Sequence, residues 1–178
     1  MIEGNKACKA LLEASRMVID ARFEPPRMGF QVGKGDQARF TKDLTNAQQK
    51  AAKPEDDIRK IYQRLAEGEA DRANLKSPRW QAAYDLAMGR VAAAYARTRG
   101  YNKMVAQLKS GKAFADASHT MWELIPSDNF SGDSELNTLA KKSREYLNRV
   151  KDEHPHTPWG DIAVSELAFQ PGWDWEEK

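Results

Sequence analysis

The chain has 178 residues, a formal net charge of +2, 40% hydrophobic and 30% charged residues, and a mean hydropathy of −0.77. That length carries one sizeable core, read as a single domain over 1–178 with a subdivision into N-terminal helices 1–76 and hairpins 77–178. No run approaches the roughly 18 apolar residues of a membrane span, and the single cysteine, Cys8, excludes an internal disulfide or a multi-cysteine metal site.

The opening stretch MIEGNKACKALLEASRMV is charged throughout and lacks the apolar centre of a signal peptide. The expected location is therefore the cytoplasm, or the cell envelope if the chain is cut from a longer exported parent. A first helix over 5–22 places Cys8, Leu11, Leu12, Ser15, Val18 and Ile19 on one face, with Cys8 as a small buried hydrophobe. Pro25 and Pro26 end it, and EPPRMGFQVGKGDQ reads as a loop or short extended arm. Within it, Gly29 to Gly35 has the look of a phosphate-binding loop. The spacing is one residue short and no Ser or Thr follows Lys34, so it reads as a flexible basic loop.

A second helix over 36–52 lines up Phe40, Leu44, Ala47 and Ala51. A third opens at Pro54 with Glu55, Asp56 and Asp57 in its first turn, where acids favour the helix dipole, and buries Ile58, Ile61, Tyr62 and Leu65. The central helix, 78–99, carries Trp80, Ala83, Tyr84, Ala87, Val91, Ala94 and Tyr95 as one wide stripe. Ser77 caps it, Pro78 takes the first helical position and Gly100 stops it. Leu86, Met88 and Ala92 make much of the remaining circumference apolar or small, so neighbours should cover it on two sides.

A short helix over 101–108 follows, burying Met104, Val105 and Leu108. The segment from Ser110 to about Asp133 reads as a loop, in which HTMWELIP is the one extended stretch. Over 134–153 the spacing of Leu136, Leu139, Ala140, Ser143, Tyr146, Leu147 and Val150 is helical for four turns. His154 and Pro155 end that helix, and Thr157 caps another that runs through Leu167. The tail FQPGWDWEEK should fold back on the body, because its indoles are costly to leave in water.

Charge is unevenly spread. Residues 90–112 hold six bases and no acid; residues 113–178 hold 13 acids against six bases, a net of −7. The two regions are expected to face each other or water. The pair His154 and His156 reads as turn histidines rather than metal ligands, and no nucleophile–histidine arrangement is present in the sequence. A catalytic reading would have to reside in 110–133, with His119, Trp122 and Glu123. The expectation is no enzyme, no cofactor and no metal.

Two resemblances bear on architecture. From Tyr146 to Leu167, YLNRVKDEHPHTPWGDIAVSEL, the chain resembles the seam between two tetratricopeptide-type repeats: Pro155 and Trp159 have the spacing between the end of one helix and the aromatic of the next, and Ala163 stands where that family has glycine. Over roughly 75–175, SPRWQAAYDLAMGR, RGYNKM, MWELIPSDN and PGWDWEE resemble a helical region that follows von Willebrand factor A domains in large bacterial proteins, often exported. The second resemblance implies an accessory or interaction module without enzymatic activity. Asp116, Ser118 and Thr120 mimic the metal motif of the A domain, but LKSGKAFA precedes them in place of a buried strand.

The expected fold is all-α, with six or seven helices in antiparallel hairpins, tetratricopeptide-like toward the C-terminus. The expected function is a non-catalytic protein–protein interaction or assembly module whose groove receives a partner segment. Arg90, Arg97, Arg99, Tyr101 and Lys103 are the expected contact residues, suited to an acidic peptide. The alternative is nucleic-acid binding through the basic 90–112 helix pair, with tyrosines stacking on bases; the acidic C-terminal third opposes it.

Overall fold

The computed structural model describes residues 4–17, 26–33, 35–130 and 132–178. Most of that chain is helical, in the order α1 (Lys6–Arg16), β1 (Gly29–Gln31), α2 (Gln37–Ala66), a 3-10 helix (Glu69–Asn74), α3 (Pro78–Lys109), β2 (Met121–Ser127), α4 (Ser134–Glu153), α5 (Pro158–Leu167) and β3 (Gly172–Glu177). Six helices match the expected number among the described residues. The three-stranded antiparallel sheet, ordered β1-β2-β3, corrects the all-α expectation.

The spine is α3. Its 32 residues span about 48 Å at the α-helical rise. Buried side chains run its whole length, from Leu86 and Met88 through Ala92 and Ala96 to Val105 and Leu108, and they point to every side. A helix apolar all round must be enclosed, and α1, α2, α4, α5 and the sheet enclose it. Gly100 does not stop it. A Cβ there would lie 2.1 Å from the Phe130 ring, so the glycine serves a close approach inside a continuous helix.

Pro54 likewise fails to separate two helices; it sits inside the single helix α2. A proline in a helix interior costs roughly 3 kcal/mol. The buried residues on either side of it, Phe40, Leu44 and Ala47 before and Ile58, Ile61 and Leu65 after, keep one helical face. Their shared burial outweighs the local break. Tyr84 donates to the Leu65 carbonyl at 2.6 Å and Asn102 donates to Glu55, which fixes α2 and α3 as antiparallel. On the other side, Ser143 donates to the Gly89 carbonyl at 2.8 Å while Arg99 meets Glu135, so α3 and α4 are antiparallel as well.

Helix α4 has the expected bounds, and all seven of its expected core residues are buried. Helix α5 starts as expected, with Thr157 Oγ1 accepting from Gly160 N at 3.2 Å. The first helix ends at Arg16 within the described residues; Val18, Ile19 and the rest of the expected span to residue 22 lie outside them, as do Pro25 and Lys34. Cys8 is buried as expected, and burial pushes its thiol pKa up.

The stretch HTMWELIP is indeed extended, but it is the middle strand of a sheet. Phe30 pairs with Trp122 across β1 and β2, and Leu124 pairs with Trp175 across β2 and β3. Phe30, Trp122, Leu124 and Trp175 turn inward together, with Trp175 edge-on to Phe30 at 5.9 Å. The indole N–H groups of Trp173 and Trp175 donate to the carbonyls of Arg97 and Met104, at 3.0 and 3.2 Å. The tail thus folds back as a strand, held to α3 by both indoles.

Candidate functional site

The five expected contact residues lie along the C-terminal two-thirds of α3, and the structure gives each an internal neighbour. Arg90 Nε donates to Glu166 at 2.9 Å. Arg97 is 4.0 Å from Glu166 and lies beneath the Phe169 ring, and burial pulls its pKa below the ordinary guanidinium value. Lys103 pairs with Asp133, the cap of α4, and holds that carboxyl below the usual carboxylate range. Tyr101 is only 2% exposed; its hydroxyl donates to the Arg27 carbonyl at 2.9 Å, so it is a core residue and not a surface contact. The basic run and the acidic C-terminal third do face each other, as the charge pattern suggested.

Of the five, Arg99 opens onto a sizeable cleft, whereas Arg97 lines only a void of about 10 Å³ beside Phe169. A cleft of about 460 Å³ lies between the C-terminal half of α2, the middle of α3 and the first half of α4. Its apolar lining is Tyr62, Tyr95, Leu136 and Leu139, and the two tyrosine rings are 5.7 Å apart. Leu136 and Leu139 come inward because they share the buried stripe of α4. Three cations stand around this floor: Arg59 from α2, Arg99 from α3 and Lys142 from α4. The Arg99 guanidinium lies 5.8 Å from the Tyr95 ring centre, and Lys142 Nζ lies 5.6 Å from that of Tyr62. Such cation–π contacts hold each charge at the edge of the apolar surface.

Each cation also has an acid. Arg59 pairs with Asp56, and Lys142 Nζ is 2.6 Å from Glu69. Arg99 makes a two-pronged pair with Glu135, at 2.7 and 2.8 Å. Of these acids, Glu135 is the one that lines the cleft itself, and its side chain is 64% exposed. The lining therefore carries three positive groups and one negative group. No protein-family model, no curated protein and no solved structure matches this chain.

The other candidate residues are dispersed. Gly29 to Gln31, expected as part of a flexible loop or short extended arm, form the strand β1. Asp116 Oδ1 accepts from both the amide and the hydroxyl of Ser118, at 2.8 and 2.7 Å, so the metal-like motif closes a turn. His119 Nδ1 lies 3.2 Å from Glu177. That carboxylate also accepts from the amides of Ala115 and Asp116, and the Ala115 amide above all keeps its pKa low. Trp122 and Glu123 point to opposite faces of β2: Trp122 is 1% exposed in the core, and Glu123 pairs with Lys178. His119, Trp122 and Glu123 do not converge on one cavity. Among the described residues, no group of three His, Cys, Asp or Glu is placed to hold a metal ion, and no helix is long and apolar enough to cross a membrane.

Sequence reasoning found Arg99 because it lies in a local basic run. It missed Arg59, Tyr62, Leu139 and Lys142 as site residues, because they reach the cleft from two other helices. Their signal was present only as ordinary helical periodicity.

Proposed function

We propose that this chain is a non-catalytic protein–protein interaction module, and that a segment of the partner lies in the cleft between α2, α3 and α4. The observation that carries this reading is the cleft's composition: a floor of two tyrosines and two leucines, ringed by cations from three helices. A floor of that kind takes up an apolar side chain, and full burial of one contributes roughly 1.5–3 kcal/mol. The charged rim speeds encounter and sets orientation. We read the antiparallel hairpins α2–α3, α3–α4 and α4–α5 as tetratricopeptide-like, akin to the helical region that follows von Willebrand factor A domains. The packing of Trp159 beside Leu147, Val150 and Ala163 at the α4–α5 turn supports that likeness. The nucleic-acid alternative has less support, since Arg90, Arg99 and Lys103 each face an acid and Tyr101 is buried.

The test is selection of a random twelve-residue peptide display library on the immobilised chain, beside the variant Thr138→Trp. Thr138 is an exposed member of the lining, so an indole there plugs the cleft without removing a core contact. Peptides enriched on the parent chain and lost on the plugged variant are the expected result. Enrichment indifferent to the plug, or no enrichment, overturns the reading.

A further inference from the structure

Of the three cations at the cleft, Arg99 differs from its neighbours in what holds it. Asp56 sits on the same helix as Arg59, three residues away, and stays within reach whatever enters the cleft. Glu69 is fixed by a second bond, since it also accepts from the Tyr146 hydroxyl at 2.8 Å. Glu135 has no such anchor among the described residues: it reaches across from the first turn of α4, and both its oxygens are spent on Arg99. It is exposed while its guanidinium partner is only 26% exposed and lies against Tyr95.

An arginine that is desolvated on an aromatic ring and presented in a two-pronged geometry is a receptor for a carboxylate. Here the chain's own Glu135 occupies it. The pair is open to water on the Glu135 side and contributes on the order of 1 kcal/mol, and an incoming carboxylate of the same two-pronged geometry restores what the internal one gives up. The adjoining apolar floor supplies what a free carboxylate ion lacks, a place for a neighbouring side chain. Without Glu135 on Arg99, the lining presents three cations to whatever enters.

We propose that the cleft receives an acidic peptide segment, whose carboxylate displaces Glu135 from Arg99 while an adjacent aromatic or aliphatic side chain settles on Tyr62, Tyr95 and Leu139. This deepens the reading of the cleft as a partner-binding groove and rests on it. Glu135 is then an internal competitor that the partner must outbid.

The peptides selected above decide the matter in two steps. Acidic sequences containing an aromatic or large aliphatic residue should dominate those that the Thr138→Trp plug abolishes. Neutral or basic sequences among the plug-sensitive peptides would overturn the acidic-ligand inference and leave the groove reading intact. The most enriched acidic peptide, labelled with fluorescein, is then titrated by anisotropy. Glu135→Gln should bind it roughly 2- to 5-fold more tightly, the release of one exposed pair. Arg99→Gln should weaken it by about 10-fold or more, the loss of a hydrogen-bonded charge, with unchanged far-ultraviolet circular dichroism. Equal or weaker binding by Glu135→Gln overturns the displacement. A twenty-nucleotide oligothymidylate that competes for the same site and loses affinity in Arg99→Gln would assign the cleft to nucleic acid instead.

Discussion

Among the described residues, Asp85 is the one carboxylate whose side chain is wholly removed from water, and its partners explain how it survives there. Arg72 reaches it from the 3-10 helix with Nε 3.0 Å from both carboxylate oxygens and with Nη2 closer still. Arg149 adds a bond from α4 at 3.3 Å, and Glu153 accepts from the same Nη2 of Arg72 at 3.0 Å. One anion thereby ties three elements together. Removing one member of a buried ion pair costs about 3–5 kcal/mol, because the opposite charge is left without compensation. Arg149 is 34% exposed and can turn to water, so Asp85→Ala should lose about 3 kcal/mol, at the lower end of that range. Urea denaturation against the parent chain measures it, and a loss under about 1 kcal/mol would show the network to be dispensable.

At the scale of elements, two breakers in the sequence break nothing. Gly100 gives the sharper test, since helix propensity and packing predict opposite signs. Propensity alone makes Gly→Ala stabilising by about 1 kcal/mol in a helix interior. The Phe130 ring stands where the new methyl must go, and overpacking of a tight core costs about 1–3 kcal/mol. Gly100→Ala should therefore destabilise the chain, seen as a lower thermal midpoint; a higher midpoint would mean that the ring moves aside freely. The same conflict explains what could be read from the sequence. Helices α4 and α5 were legible to the residue, because their caps and periodicity agree with their packing. Pro54 and Gly100 misled because local preference there is overruled by neighbours far along the chain. The extended character of HTMWELIP, 119–126, was visible, yet the pairing of β2 with Gly29–Gln31 and Gly172–Glu177 joins segments too distant for any local pattern to announce. The cleft suffered likewise: Arg99 stood out in its basic run, whereas Tyr62 and Lys142 looked like routine residues of their own helices.

For the whole molecule, alkaline pH should expose how the core is held. Tyr84, Tyr101 and Tyr146 bury their rings and donate their hydroxyl protons to the Leu65 carbonyl, the Arg27 carbonyl and Glu69. Burial raises all three phenol pKa values, that of Tyr101 to about 12. A group whose folded pKa lies above its unfolded value stabilises fully below the unfolded value, near 10 for tyrosine, and that stabilisation is lost as pH rises through the folded value. The urea midpoint should therefore hold up to about pH 9.5 and fall steeply above about pH 10. Tyr101→Phe should flatten the fall, which separates the phenols from lysines that titrate in the same range. An unchanged slope would remove Tyr101 from the account.

The placement of β3 has a consequence for the chain as it is made. Leu124 and its cross-strand neighbour Trp175 are about fifty residues apart in the sequence. A ribosome adding about 5–20 residues per second would take several seconds to cover that interval. Throughout it, the inward face of Trp122 and Leu124 has no third strand to shield it, so the nascent chain passes through a sticky interval in which a holding chaperone would find its best foothold.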